Sequence, residues 1–298
     1  MSYSSDNLES ILDFSRSMAE QAGDLIVGMR AHSRLNIQFK QDIELVTDAD
    51  LASDKLITDQ IREKFPEHQI LAEESNPDIA SISYDETPVW IIDPIDGTVN
   101  YAHHHPQVAI SIAYAVKGRV QVAVVYNPFQ SEMYCAIRNQ GAWLNDQPLT
   151  CSQTNKMDKA IIATGFPYDK RGVLPQLMSR LHAILENVAD VRRLGSAALD
   201  ICWVAQGRLD GYYETVSPWD FAAAQLIAKE AGAKVGHFIP PPKDVPAELF
   251  GENLLISNPD LYDSLHNVLN SAQLDDSSLS KGLLKLRVFY RQLIDKQS

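Results

Sequence analysis

Cysteine is scarce in this chain: only Cys135, Cys151 and Cys202 occur in 298 residues. They lie far apart and lack the paired spacing of a thiolate metal site or a disulfide framework. We read them as reduced thiols of a cytoplasmic protein. No run of about 18 apolar residues is present, so the sequence offers no transmembrane helix. The first seven residues are polar and lack the basic-then-apolar order of a secretory signal. Positive charge is also short. Lys and Arg number 26 against 39 Asp and Glu, a formal net charge of −13. That argues against general nucleic-acid binding, in which cations must face phosphates. An acidic protein still takes anionic small molecules when metal ions invert its local field. There is no internal repeat, and no low-complexity linker beyond the proline-rich residues 239–243. Apolar residues make up 45% of the chain, enough for a sizeable core.

The most informative stretch is Val89-Trp90-Ile91-Ile92-Asp93-Pro94-Ile95-Asp96-Gly97-Thr98-Val99-Asn100. Its apolar start reads as a buried strand, and the Asp-Pro step is expected to end it, because proline has no N–H for a ladder. Asp93 and Asp96 then fall on the turn that follows. Two carboxylates this close repel unless a cation lies between them. Carboxylate oxygens together with a free carbonyl, such as that of Ile95, suit Mg2+. Gly97 permits close backbone approach to a ligand, and Thr98 opens a possible helix with N–H groups toward an anion. Upstream, Ile70-Leu71-Ala72-Glu73-Glu74-Ser75 is another apolar strand ending in acids. Downstream, Asp220 stands at the head of an alanine-rich helix, where it serves equally well as a plain cap.

Together these segments resemble the inositol monophosphatase family of magnesium-dependent, lithium-sensitive phosphatases. Asp93 to Tyr101 meet the pattern D-P-[IL]-D-G-T-x-N-[FY], and Trp219 to Gly232 meet W-D-x-A-A-[AG]-x-x-[IL]-x-x-E-A-G. Glu73-Glu74-Ser75 and Val46-Thr47-Asp48-Ala49-Asp50 supply two accessory motifs. The stretches at residues 163–167 and 193–200 look most like the bacterial branch. Departures occur at Glu230-Ala231-Gly232-Ala233 and in the proline-rich loop after it, and they bear on loop shape.

The resemblance implies an α+β fold of stacked α/β/α/β/α layers and two or three Mg2+ ions per site. Glu73, Asp93 and the Ile95 carbonyl would hold the first ion, and Asp93, Asp96 and Asp220 the second. A third, weaker ion would share Glu73. Asp50 and the Thr98 hydroxyl would orient the attacking water, although Thr47 and Asp50 also spell a capping box for a helix. Gly97 and Thr98 would cradle the phosphate. Gly195, Ser196, Ala197 and Glu214 would face the alcohol, with Ser196 equally readable as a helix cap. Lys40 would moderate the negative charge, or simply be solvated. The expected reaction is hydrolysis of a phosphate monoester, inositol monophosphate first. Histidinol phosphate, a sugar phosphate and a 3′-phosphoadenosine nucleotide are the alternative substrates. A regulatory protein that binds transcription factors is the alternative function. Three adjacent histidines, His103 to His105, are discounted as ligands, since consecutive side chains diverge and imidazole suits softer metals.

Along the chain the patterns predict three parts. Residues 1–150 form an α+β half with a first helix capped at Asp6, a helix over 48–64 and an antiparallel meander. Residues 151–270 alternate strands and helices and carry Asp220. Residues 271–298 add a basic amphipathic helix, with Leu279, Leu283, Leu286, Tyr290 and Leu293 on one stripe. That helix is expected to pack on its own protomer or on a partner in a homodimer. The remaining partner expectations are a small phosphomonoester, no membrane, and the transcription machinery as a further candidate.

Overall fold

The computed structural model describes residues 5–32, 37–40, 44–168, 170–243 and 245–272. The expected C-terminal helix over residues 274–298 and the side chain of Lys40 lie outside the described residues. The order begins α1 (Ser5–His32), β1 (Ile37–Lys40), β2 (Glu44–Thr47), α2 (Asp48–Lys64), β3 (Gln69–Ala72), β4 (Val89–Asp96), α3 (Thr98–Ala102) and β5 (Ala109–Val116). It continues with β6 (Arg119–Asn127), β7 (Glu132–Ile137), β8 (Gly141–Leu144), β9 (Gln147–Pro148), β10 (Ile161–Thr164), α4 (Leu174–Leu185) and β11 (Asp190–Arg192). It ends with α5 (Ala197–Ala205), β12 (Gly211–Glu214), α6 (Pro218–Glu230), β13 (Lys234–His237), β14 (Leu254–Ser257) and α7 (Pro259–Ser271).

Strands β3 to β9 form a seven-stranded sheet in sequence order. It is antiparallel except for the β3–β4 pair. A second, five-stranded sheet has the order β11-β10-β12-β14-β13 and mixes parallel and antiparallel pairs. The alternation of side chains along each strand decides what covers each face. Trp90, Ile92, Ile112, Tyr114 and Val124 meet α1 and α2 in one apolar cluster. Ile91, Ala113, Ala123 and Ala136 face the other way, toward α5 and α6. Those alanines are small because a whole helix layer lies on them.

Helices α5 and α6 are apolar nearly all round, and from Phe221 to Ala228 every residue of α6 is buried. A helix without a polar face must be covered on all sides. Here the second sheet covers it through Tyr212, Leu254 and Ile256. Helices α4 and α7 close the far face with Ile184, Leu261, Leu265 and Leu269. The result is five layers, α/β/α/β/α, as the sequence implied.

Two local expectations are corrected. Strand β4 does not end at Asp-Pro. It continues to Asp96, which pairs with Ala109, while Asp93 pairs with Ser111. Three steps on β4 therefore match two on β5, a bulge that accommodates Pro94 because the extra residue owes the ladder no hydrogen bond. The first helix begins at Ser5, so Asp6 lies inside it rather than capping it. Helix ends commonly shift by a residue or two.

Candidate active site

The bulge builds the site. In a regular strand, residues three apart point to opposite faces. The extra residue between Asp93 and Asp96 turns both carboxylates to the same side. Oxygens of Asp93, Asp96 and Asp220 all lie within 4.8 Å of one another. Asp93 Oδ1 accepts the Ile95 N–H at 3.0 Å, which pins the bulge. Asp220 enters from the first turn of α6, where its Oδ2 accepts the Ser217 N–H at 2.8 Å. The expected cap and the convergence on the acids are thus one geometry. Ser111, the β5 partner of Asp93, donates its hydroxyl to the Trp219 carbonyl at 3.1 Å and ties the α6 start to the sheet. Glu73 follows β3 and hydrogen-bonds to Asp93.

Four acids so placed oppose their own ionisation. Burial, then the charges of Glu73, Asp96 and Asp220, push the Asp93 carboxyl well above the usual carboxylate range. Asp96 is pushed up to about 6 by burial, against the pull of hydrogen bonds from Ser196, Ala198 and Ala197 and of the Arg193 charge. A donor set made only of oxygens, with Asp93 and Asp96 buried and Asp220 half-buried, and mutually repelling, fits a hard divalent cation. Ionised without one, the group would carry uncompensated buried charge.

Asp96 also links the first sheet to the start of α5. Its Oδ2 accepts the Ser196 hydroxyl at 2.6 Å and the Ala198 N–H at 2.7 Å, and its Oδ1 takes the Ala197 N–H at 3.3 Å. A carboxylate from β4 therefore caps α5, where the helix N-terminus favours negative charge. Ser196 is the α5 cap as well, accepting the Leu199 N–H at 3.3 Å. Hence the polar hydrogens of Ser196 and Ala197 are directed to Asp96.

Gly97 and Gly195 meet where the two loops cross. Gly97 has φ +97°, and a Cβ there would lie 2.8 Å from the Gln107 carbonyl and 3.1 Å from that of Gly195. Asn100, on α3, donates at 2.8 Å to both the Gln107 and the Leu194 carbonyls and clamps this crossing.

Thr98 opens α3 and approaches both Asp50 Oδ1, at 2.9 Å, and the Ile95 carbonyl, at 3.1 Å. Asp50 Oδ2 accepts the Thr47 N–H at 2.8 Å and the Thr47 hydroxyl at 2.5 Å, completing the capping box of α2. The capping box and the Thr98 bond thus use different carboxylate oxygens of Asp50. Burial raises its pKa, and the bonds from Thr47 and Thr98 hold it down.

Glu214 ends β12 and accepts the Tyr212 hydroxyl at 2.7 Å. Burial pushes it up to about 7, while Tyr212 and the Arg193 charge pull it down. Its carboxylate rests on Gly165, where a Cβ would lie 2.1 Å from Oε2. Three neighbours that the sequence does not assign to the site are Gly165, Arg193 and Asp200. Asp200 is 2% exposed, and its Oδ1 has no hydrogen-bond partner among the described residues. Burial, then Glu214 and Asp96, push it well above the usual range. Each sits inside a quoted motif, but nothing in the motif says what it faces.

Comparison with known proteins follows the same lines. The profile of the inositol monophosphatase family matches residues 7–273. The Nus factor SuhB of Pasteurella multocida is 40% identical over 222 residues, covering 74% of this chain and 82% of that protein. Inositol monophosphatase 3 of Solanum lycopersicum is 33% identical, covering 89% of this chain and 98% of the relative. The solved inositol monophosphatase from Anabaena superposes with a TM-score of 0.77 at 36% identity, covering 89% of this chain and 97% of the other.

Proposed function

The chain belongs to the inositol monophosphatase family, and on that premise we propose that it is a cytoplasmic, Mg2+-dependent phosphomonoesterase with inositol monophosphate as its first substrate. The observation that carries the reading is the convergence of Asp93, Asp96 and Asp220 through the β4 bulge. Glu73, Asp93 and the Ile95 carbonyl would hold one ion, and Asp93, Asp96 and Asp220 another. A weaker third would share Glu73. When bound there, Mg2+ neutralises phosphate charge and lowers the pKa of water.

The chain's own groups supply the rest. Asp50, through the Thr98 hydroxyl, orients the water for in-line attack and takes up its proton. The Gly97 and Thr98 N–H groups receive the phosphate oxygens at the start of α3. Glu214 accepts hydrogen bonds from the ring hydroxyls, with the backbone of Gly195, Ser196 and Ala197 as the floor of that subsite. A polyol suits these acceptors better than an aromatic base, which ranks inositol phosphate above a 3′-phosphoadenosine nucleotide. Histidinol phosphate and sugar phosphates remain rivals with the same chemistry. Lithium inhibition and a homodimer belong to the same reading.

Phosphate release from a panel of phosphomonoesters tests it. Activity should vanish on chelation and return with Mg2+, and full activity in excess chelator would sink the assignment. A second reading rests on the 40% identity to a protein named as a Nus factor: the chain would also bind the transcription machinery. Pull-down with purified polymerase and elongation factors decides it, and no retention would leave the hydrolase reading alone.

A further inference from the structure

Helix α4 is poorly covered. Of its residues only Ile184 is buried. Leu174, Met178 and Leu185 are 49%, 52% and 54% exposed, and their spacing of four and seven places them on one outward stripe. Beside that stripe a surface groove of about 560 Å3 runs between α4 and α7. Pro175, Met178, His182 and Ala183 of α4 line one wall, and Ser271 and Ala272 the other. The chain leaves the described residues from inside this groove. The Ala272 carbonyl accepts Gln176 Nε2 and Ser179 Oγ, both at 2.9 Å. Two α4 side chains therefore fix the point from which residues 273–298 depart.

That remaining segment carries its own apolar stripe: Leu279, Leu283, Leu286, Tyr290 and Leu293 alternate four and three apart. We propose that the groove and the outward face of α4 are the docking surface for this chain's own C-terminal segment, residues 279–294. The linking stretch 273–278, polar but for Leu274, can span up to about 20 Å, enough to reverse direction at Ala272. A helix over 279–294 would be about 24 Å long, and α4 is about 18 Å long, so one covers the stripe of the other. Tethering makes the cis contact the favoured one, because a short linker holds the segment at an effective concentration on the order of millimolar.

Hydrogen exchange on the full chain tests this, with two variants: Leu283→Glu/Leu286→Glu in the tail and Met178→Glu in the groove. In the unmodified chain the amides of 279–294 should be protected. The tail variant should speed exchange in α4, and the groove variant exchange in the tail, each by about tenfold or more. Circular dichroism should show both variants folded, and Met178 is itself an exposed position. Protection should be the same over a hundredfold dilution. Tail amides that exchange at unprotected rates, or α4 exchange indifferent to the tail variant, would overturn the proposal. Protection that falls on dilution would assign the groove to a second copy and overturn it equally.

Discussion

Replacing Thr98 with valine is the sharpest probe of the proposed water-orienting pair. The two side chains have nearly the same shape, so the change removes one hydroxyl from a site where Thr98 is 6% and Asp50 1% exposed. That hydroxyl lies 2.9 Å from Asp50 Oδ1 and 3.1 Å from the Ile95 carbonyl. Its single proton serves one of them at a time, and both are left with less after substitution. Leaving a buried acceptor unsatisfied costs about 1–3 kcal/mol, which urea unfolding would register. Losing a positioned proton acceptor's partner should cost about 10²–10⁴ in turnover. The bond also favours the charged form of Asp50, so its loss raises that pKa and moves the acid limb of the pH–rate profile upward. Thr98→Ser keeps the hydroxyl and should retain most of the rate. If Thr98→Val loses stability yet turns over like Thr98→Ser, the pair is a structural link between α2 and α3 and has no part in the chemistry.

Gly165→Ala should push the flexible end of Glu214 aside. It should raise KM for a polyol phosphate several-fold while leaving kcat and the Mg2+ requirement in place; a matching fall in kcat would place Glu214 at the reacting centre. Ser196→Ala removes a charge-assisted bond to Asp96, worth about 1.5–3 kcal/mol, and so should raise the Mg2+ concentration for half-activation about tenfold or more. An unchanged value would mean that Asp96 does not hold the ion. Without metal, the Asp96 value of about 6 stands above its ordinary carboxylate value. Its contribution to stability is then full below about pH 4 and lost as pH rises through about 6. Urea unfolding of the metal-free protein should show this loss relative to Asp96→Asn, and saturating Mg2+ should abolish it. Equal pH profiles for the two metal-free proteins would refute the shift.

Much of this was legible from local pattern. The apolar strand before Asp93 announced a buried strand, and Thr47 with Asp50 announced the start of α2. The alanine-rich run after Asp220 announced the helix α6. The bulge was not legible, because strand length and register are set by pairing with Ser111 and Ala109 of β5, and period-two alternation alone sends Asp93 and Asp96 to opposite faces. Nor was the bond from Ser196 to Asp96, which joins residues 100 apart in sequence. Strands β11 and β13 carry little sequence signal because they are short, partly exposed edge strands without alternation. The resemblance placed Gly195, Ser196 and Ala197 near the alcohol. It could not say that the Ser196 hydroxyl and the Ala197 N–H are occupied by an acid from β4.

That occupied turn has an evolutionary consequence. Because the Ser196 hydroxyl and the Ala197 and Ala198 N–H groups hold Asp96, a change of Ser196 or of the backbone course here that reshapes the proposed alcohol subsite also disturbs the proposed ion-binding group. Innovation at those positions is pleiotropic and tightly constrained. Gly165 and Glu214 carry no such burden, since the hydrogen bond of Glu214 goes to Tyr212 and not to the acidic cluster. A descendant of this scaffold that adopts a new leaving group should therefore diverge at the rim formed by these two residues, while the turn at 195–198 stays frozen.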